Sequence, residues 1–175
     1  MQSAVELRPF PIESFLAPVN LELADFAVSE TFKLMFGYDI EIVDASLIPP
    51  GSPLDERTAI VGFSGSMRGS CQIRMSASAA RAIAAAMLGD SLAEEDDDSI
   101  NDALGELCNM LAGGWKNGIS GLSAACALSP PTVISGSDYK VHLSHPSHTI
   151  SQSYRFDCHT FQLMLCREEE ITSRA

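Results

Sequence analysis

Between Asp102 and Trp115 the chain reads DALGELCNMLAGGW, and this stretch constrains the fold most because its apolar and polar residues separate at helical period. At about 100° per residue, with Ala103 as zero, Leu107, Leu111 and Leu104 fall at roughly 40°, 80° and 100°, flanked by Cys108 and Met110. Asp102, Glu106 and Asn109 fall at roughly 260°, 300° and 240°, and Gly113 joins them at about 280°. A helix of this pattern buries one face and leaves the other polar. Glycine inside a helix costs about 0.5–1 kcal/mol relative to alanine, so Gly105 and Gly113 beside the polar stripe point to a neighbouring surface that comes close. The plainer alternative is also open. Ser99 and Asp102 have capping-box spacing and the acids of EEDDDS (94–99) suit the positive end of the helix dipole; Asp102 then caps the helix, Glu106 and Asn109 are ordinary solvated residues, and the glycines relieve packing against a neighbouring helix.

The rest of the chain supplies something for that helix to bury against. LELADFAVSETFKLMF (21–36) repeats apolar residues at three and four and is closed by Gly37, which predicts a second helix. YDIEIVDASLI (38–48) alternates as a strand does. TAIVGFSG and RGSCQIRM predict two strands joined near Ser64-Gly65-Ser66, and Ser76 opens an alanine-rich helix that stops at Gly89. GLSAACALSPPTVISG is an apolar run broken by Pro130 and Pro131. Strand-like pieces follow around Tyr139–Ser144, Thr149–Phe156 and Thr160–Cys166, and residues 168–175 read as a mobile polar tail. Aligning FAVSETFKLMFG (26–37) with DALGELCNMLAG (102–113) matches Glu30 to Glu106 and Gly37 to Gly113. Each segment precedes a strand-like run, as duplicated halves would. Locally pairing strands and three or four helices predict an α+β domain with a largely antiparallel sheet. The 175 residues show no composition shift that divides them, which predicts one domain over 1–175.

Charge narrows the partners. A net charge of -12 repels phosphate backbones and anionic bilayers and favours a partner with a basic rim, so neither nucleic acid nor membrane is expected. The longest apolar run, Ala82 to Leu88, is too short to span a bilayer, and no leader pattern opens the chain. The five cysteines form no CxxC pair and predict a reducing cytoplasm. His142, His145 and His148 recur at threes, but in a strand the middle one faces away from the others. They read as turn histidines, and no metal site is expected. SGSMRGS (64–70) lies between strands, not before a helix, and is no phosphate loop.

Asp102-x3-Glu106-x2-Asn109, continued by NMLAGG and followed by LSPPTV, resembles the signature of the CheC/CheX/FliY phosphatases of bacterial chemotaxis, in the CheX-like form. The family pattern places a proline after 22 further residues; here Pro131 follows Asn109 after 21 and Pro130 after 20. The resemblance spans roughly residues 10–167 in element order, and its specific motif covers 102–131. It implies a CheC-like fold of two pseudo-repeated halves, with one active face, because the first helix has Glu30 but Lys33 where the amide would stand. It implies hydrolysis of the aspartyl phosphate of a CheY-like receiver, with Glu106 and Asn109 catalytic and Asp102, Gly113 and Pro131 supporting. The chain then needs no cofactor of its own, since Mg2+ comes with the receiver, and a homodimer is implied as well. A non-catalytic adaptor that docks on a receiver is the other reading.

Overall fold

The computed structural model describes residues 8–44, 56–89, 96–137, 139–142 and 146–168. A short helix α1, Ile12–Phe15, leads into α2, Pro18–Phe36. Proline at the first helical position needs no N–H partner there, and Gly37 ends α2 with φ 73, its N–H donating to the Lys33 carbonyl. Then come β1 (Glu41–Val43), the hairpin β2 (Arg57–Gly65) and β3 (Gly69–Met75), α3 (Ala77–Leu88), α4 (Asp97–Gly118), β4 (Cys126–Leu128), β5 (Thr132–Ser135), and the hairpin β6 (Pro146–Phe156) and β7 (His159–Glu168). Among the described residues no helix is long and apolar enough to cross a membrane.

The strands form one antiparallel sheet ordered β1-β6-β7-β3-β2-β4, with β5 also on β2. Register aligns the apolar positions in rows: Ala59, Ile73 and Leu163 sit side by side, as do Val61, Cys71 and Leu165, and all six are buried. Alternation puts these rows on one face, and the helices cover it. Cys108 of α4 lies over β2 and β3, its Sγ 3.5 Å from the Ala59 carbonyl oxygen and 3.6 Å from that of Cys71. Phe32 of α2 stacks on Phe161 at 5.0 Å and tilts against Phe156 at 5.2 Å, over β7 and β6. Where the helices meet, Trp115 donates to the Asn20 carbonyl at 3.0 Å, and a Cβ on Gly114 would come 3.2 Å from that of Ala27.

The two expected halves are visible, and they are exchanged. Helix, edge strand and hairpin recur as α2, β1, β2–β3 and as α4, β4–β5, β6–β7. Yet β1 pairs with β6, β4 and β5 pair with β2, and each long helix lies over the hairpin of the other half. The duplicated helices also bury matching positions: Ala27, Val28 and Phe32 correspond to Ala103, Leu104 and Cys108.

Several expectations need correction. Asp102 does not cap α4. The N-cap is Asp96, in extended conformation, whose side chain accepts the Ser99 N–H at 2.9 Å, so the helix starts more than a turn before Asp102. Of the acidic run, Glu94 and Glu95 lie outside the described residues, while Asp97 and Asp98 fill the first turn. The strand expected from Tyr38 is only Glu41–Val43, and its expected continuation over 45–48 lies outside the described residues. Tyr139–His142 forms no strand; Tyr139 instead spends its hydroxyl on Thr58 at 2.7 Å. Glu168, assigned to the tail, closes β7 with its N–H on the Arg68 carbonyl, and residues 169–175 lie outside the described residues.

The cap assignment is testable. Hydrogen bonds from Ser99, the backbone N–H first, hold the Asp96 carboxyl below its ordinary value. A carboxylate with a lowered folded-state pKa stabilises fully above its unfolded value, and that contribution is lost as pH falls through the lowered one. Asp96→Ala is therefore expected to lower the thermal midpoint at neutral pH by a margin that shrinks to nothing in acid. Asp102→Ala is expected to change stability by no more than about 0.5 kcal/mol.

Candidate functional site

Helix α4 is buried along Ile100, Ala103, Leu104, Leu107, Cys108, Leu111, Ala112 and Trp115, which fixes its rotation over the sheet. That rotation turns Asp102 and Glu106 outward as exposed residues and leaves Asn109 and Gly113 half-buried beside them. The stripe read from the sequence is thus one surface. Among the described residues, no hydrogen bond or ion pair engages the side chains of Asp102, Glu106 or Asn109. Two carboxylates and an amide are held on a rigid helix with their polar atoms unspent.

The first turns of α4 are tied down from β2 and β5. Arg57 donates to Asp97 at 2.7 Å, with its own side chain mostly covered, and Ser135 donates to Asn101 at 2.8 Å. Pro131 supplies the third tie. Between the β4 and β5 pairings, Val61 and Gly62 of β2 face Ser129, Pro130 and Pro131, three residues against two, so the edge strand bulges. Prolines have no N–H for a ladder, and the Ser129 hydroxyl accepts the Gly62 N–H at 2.9 Å instead, while the Ser129 N–H reaches the Gly62 carbonyl at 2.9 Å. The bulge lays the Pro131 ring on α4: a Cβ on Gly105 would lie 3.1 Å from its Cγ and 3.2 Å from its Cβ. Gly105 therefore makes room for this chain's own proline, not for a partner's loop. Gly113 differs, since a Cβ there would meet nothing nearer than Leu128 Cδ1 at 3.9 Å. Its bareness is not required by packing.

Sequence reasoning grouped Asp102, Glu106, Asn109 and Gly113 on one helical stripe and took Pro131 from the family resemblance; α4 carries the four on one side, and the Pro131 ring lies against Gly105. That reasoning missed Asn101, Arg57 and Ser129, which hold the helix and loop in place. The serine before two prolines was the available signal, a hydroxyl acceptor next to two residues that cannot donate. At the corresponding positions α2 carries Phe26, Glu30 and Lys33, and Lys33 already pairs with Asp39 at 2.6 Å, so that helix offers no free amide.

What the stripe can do follows from what surrounds it. The buried thiols are poor nucleophiles: a hydrogen bond with Cys108, then burial, pushes the Cys71 thiol well above its ordinary value, and burial raises Cys126 and Cys166. Of the expected turn histidines, His142 is exposed, His148 is on β6 opposite Arg167, and His145 lies outside the described residues. The remaining chemistry is that of an amide able to hold a water and carboxylates able to meet cations, both directed at a second molecule.

The family described as chemotaxis phosphatase CheX matches residues 57–155, which include the whole of α4 and the proline bulge. The CheY-P phosphatase CheX of Thermotoga maritima is 28% identical over 115 residues, 66% of this chain and 74% of that protein. The fold is shared with the chemotaxis protein CheX from Desulfovibrio desulfuricans, with a TM-score of 0.70 at 22% identity, covering 86% of this chain and 99% of that one. It is shared too with a CheX–CheY–BeF3–Mg2+ complex from Borrelia burgdorferi, with a TM-score of 0.65 at 21% identity, covering 86% and 98%.

Because the space at Gly113 is open, Gly113→Ala is expected to raise stability by about 0.5–1 kcal/mol, the ordinary helix preference for alanine. Equilibrium unfolding in urea checks this. A loss of stability would mean that the stripe is packed against something at that point.

Proposed function

The chain belongs to the CheX family of chemotaxis phosphatases, and from that premise we propose that it accelerates hydrolysis of the aspartyl phosphate of a CheY-like receiver domain, using Glu106 and Asn109 of α4. The observation that carries the reading is the unspent polar stripe on a helix otherwise locked into the core. An aspartyl phosphate is already an activated acyl phosphate, and the receiver brings its own Mg2+, so this chain need only orient a water in line with phosphorus. Asn109 suits that task because its amide both donates to and accepts from one water without adding negative charge beside the phosphoryl group. A hundredfold acceleration requires only about 2.7 kcal/mol, well within what orientation supplies.

Glu106 precedes Asn109 by almost one helical turn on the same face. It pairs with the lysine beside the receiver's phosphoaspartate, which aims the helix and loosens that lysine's hold on the phosphate. Asp102, now free of any capping duty, adds a second carboxylate toward the receiver's basic rim. Pro131 fixes the loop that borders the stripe, and Gly113 leaves clearance for the receiver's own loops. A net charge of -12 makes this approach selective for a basic rim. The free cysteines, four of the five buried, suit the cytoplasm where receivers work. Among the described residues β1 covers the β6 edge over Ser153–Arg155, and the assembly proposed is a homodimer joined through sheet edges.

The test is the decay of phosphorylated receiver at saturating concentrations of each variant, with binding measured in parallel. Asn109→Ala is expected to abolish acceleration while receiver affinity changes little. Glu106→Ala is expected to lose affinity as well, because it removes an ion pair. Gly113→Ala should weaken docking despite its added stability. Wild-type acceleration by Asn109→Ala would remove the amide from the chemistry and leave an adaptor as the reading.

A further inference from the structure

The tip of the β6–β7 hairpin takes no part in the stripe, yet it gathers three different donor types. Phe156 pairs with His159, so Asp157 and Cys158 form the two-residue turn. Asp157 adopts φ 47, in the left-handed region where non-glycine residues are uncommon. In an extended strand consecutive side chains alternate in direction, and Asp, Cys and His in succession could not converge. The reversal here brings a carboxylate oxygen, a thiol sulfur and an imidazole nitrogen within 4.8 Å of one another, the one such group among the described residues. Asp157 and Cys158 are exposed and His159 is half-buried.

We propose that Asp157, Cys158 and His159 form a binding site for a borderline divalent cation of the zinc type. The donor set decides the class of ion, because oxygen, nitrogen and sulfur together suit Zn2+, whereas Mg2+ and Ca2+ take oxygen ligands. The spacing fits as well. With Zn–S of about 2.3 Å and Zn–O of about 2.1 Å, a tetrahedral angle places sulfur and oxygen about 3.6 Å apart, and Cys158 Sγ lies 3.8 Å from Asp157 Oδ2. The site is also held. His159 packs on Phe156 at 5.5 Å, and Phe156 is buried against Phe32, Tyr38 and Phe161. On binding, the Cys158 thiol gives its proton to solvent and its sulfur to the metal, while neutral His159 donates a nitrogen lone pair and Asp157 a carboxylate oxygen. The fourth position stays open to water or to a donor from another molecule. This gives the chain a metal site that sequence reading did not expect, since contiguous DCH has none of the usual ligand spacings.

Titration of the untagged full chain with ZnCl2 by calorimetry, and with Co2+ by absorption, tests the proposal. The expected result is one strong site per chain with a thiolate-to-cobalt charge-transfer band. Cys158→Ser is expected to abolish that band and to weaken zinc binding by about tenfold or more, roughly 1.4 kcal/mol. The exposed position of Cys158 keeps that variant folded, and its acceleration of receiver dephosphorylation should be unchanged. His159→Asn should weaken binding similarly. Zinc bound equally well by the Cys158→Ser/His159→Asn double variant, or no binding by the wild type, would overturn the proposal.

Discussion

Everything in this fold depends on the exchange of parts between its two halves. Helix α4 seals the β2–β3 hairpin, α2 seals β6–β7, and the edge strands cross over in the same sense. Neither half closes a core alone: Ala59, Val61, Cys71 and Ile73 are covered by residues supplied some forty positions later in the chain. Trp115 pins the exchange where the helices meet, fully buried, edge-on to Phe15 at 6.1 Å and with its N–H on Asn20. Burial of this kind fixes a helix in rotation as well as position, because a dense core tolerates few alternative side-chain arrangements. The polar stripe is aimed by the core behind it.

That dependence explains how a helper with so little chemical equipment can act. Among the described residues the stripe is served by no strained backbone and no activated thiol. It supplies one amide and two carboxylates at set positions on a rigid element, and in the proposed reaction the reacting bond, the metal and the cation arrive with the partner. Divergence of the duplicated helices follows the same logic. Both keep a glutamate, Glu30 and Glu106, but α2 has Lys33 in place of the amide and Phe26 in place of the first acid, with Lys33 occupied by Asp39. A cation there cannot stand in for an amide that must both donate to and accept from a water. On the proposed assignment the chemistry is confined to one face while the architecture stays twofold.

What the sequence made legible and what it hid divide along physical lines. Periodicity located α3, α4 and both hairpins, because each buries one face and repeats at its own period. It grouped Asp102, Glu106, Asn109 and Gly113, because helical geometry alone sets their spacing. The cap was misplaced because Asp96, Ser99 and Asp102 all suit a first turn; Asp96 wins by taking extended backbone conformation and accepting from Ser99. Gly105 pointed only to some neighbouring surface, because that neighbour, Pro131, is distant in sequence and arrives through a bulge that no local pattern announces. The Asp157-Cys158-His159 cluster was invisible because strand alternation disperses such residues and only the turn gathers them.

Asn109 is proposed to work as a neutral group holding a water, a claim that the near-isosteric Asn109→Asp variant tests without altering the side chain's shape. It keeps the shape of the side chain at a half-buried helical position and adds only charge. Its thermal midpoint should stay within about 2 °C of wild type. Decay of phosphorylated receiver at saturating variant should nonetheless fall to the receiver's own unassisted rate, because a carboxylate repels the phosphoryl group and cannot donate. Acceleration by Asn109→Asp at the wild-type rate would contradict the claim.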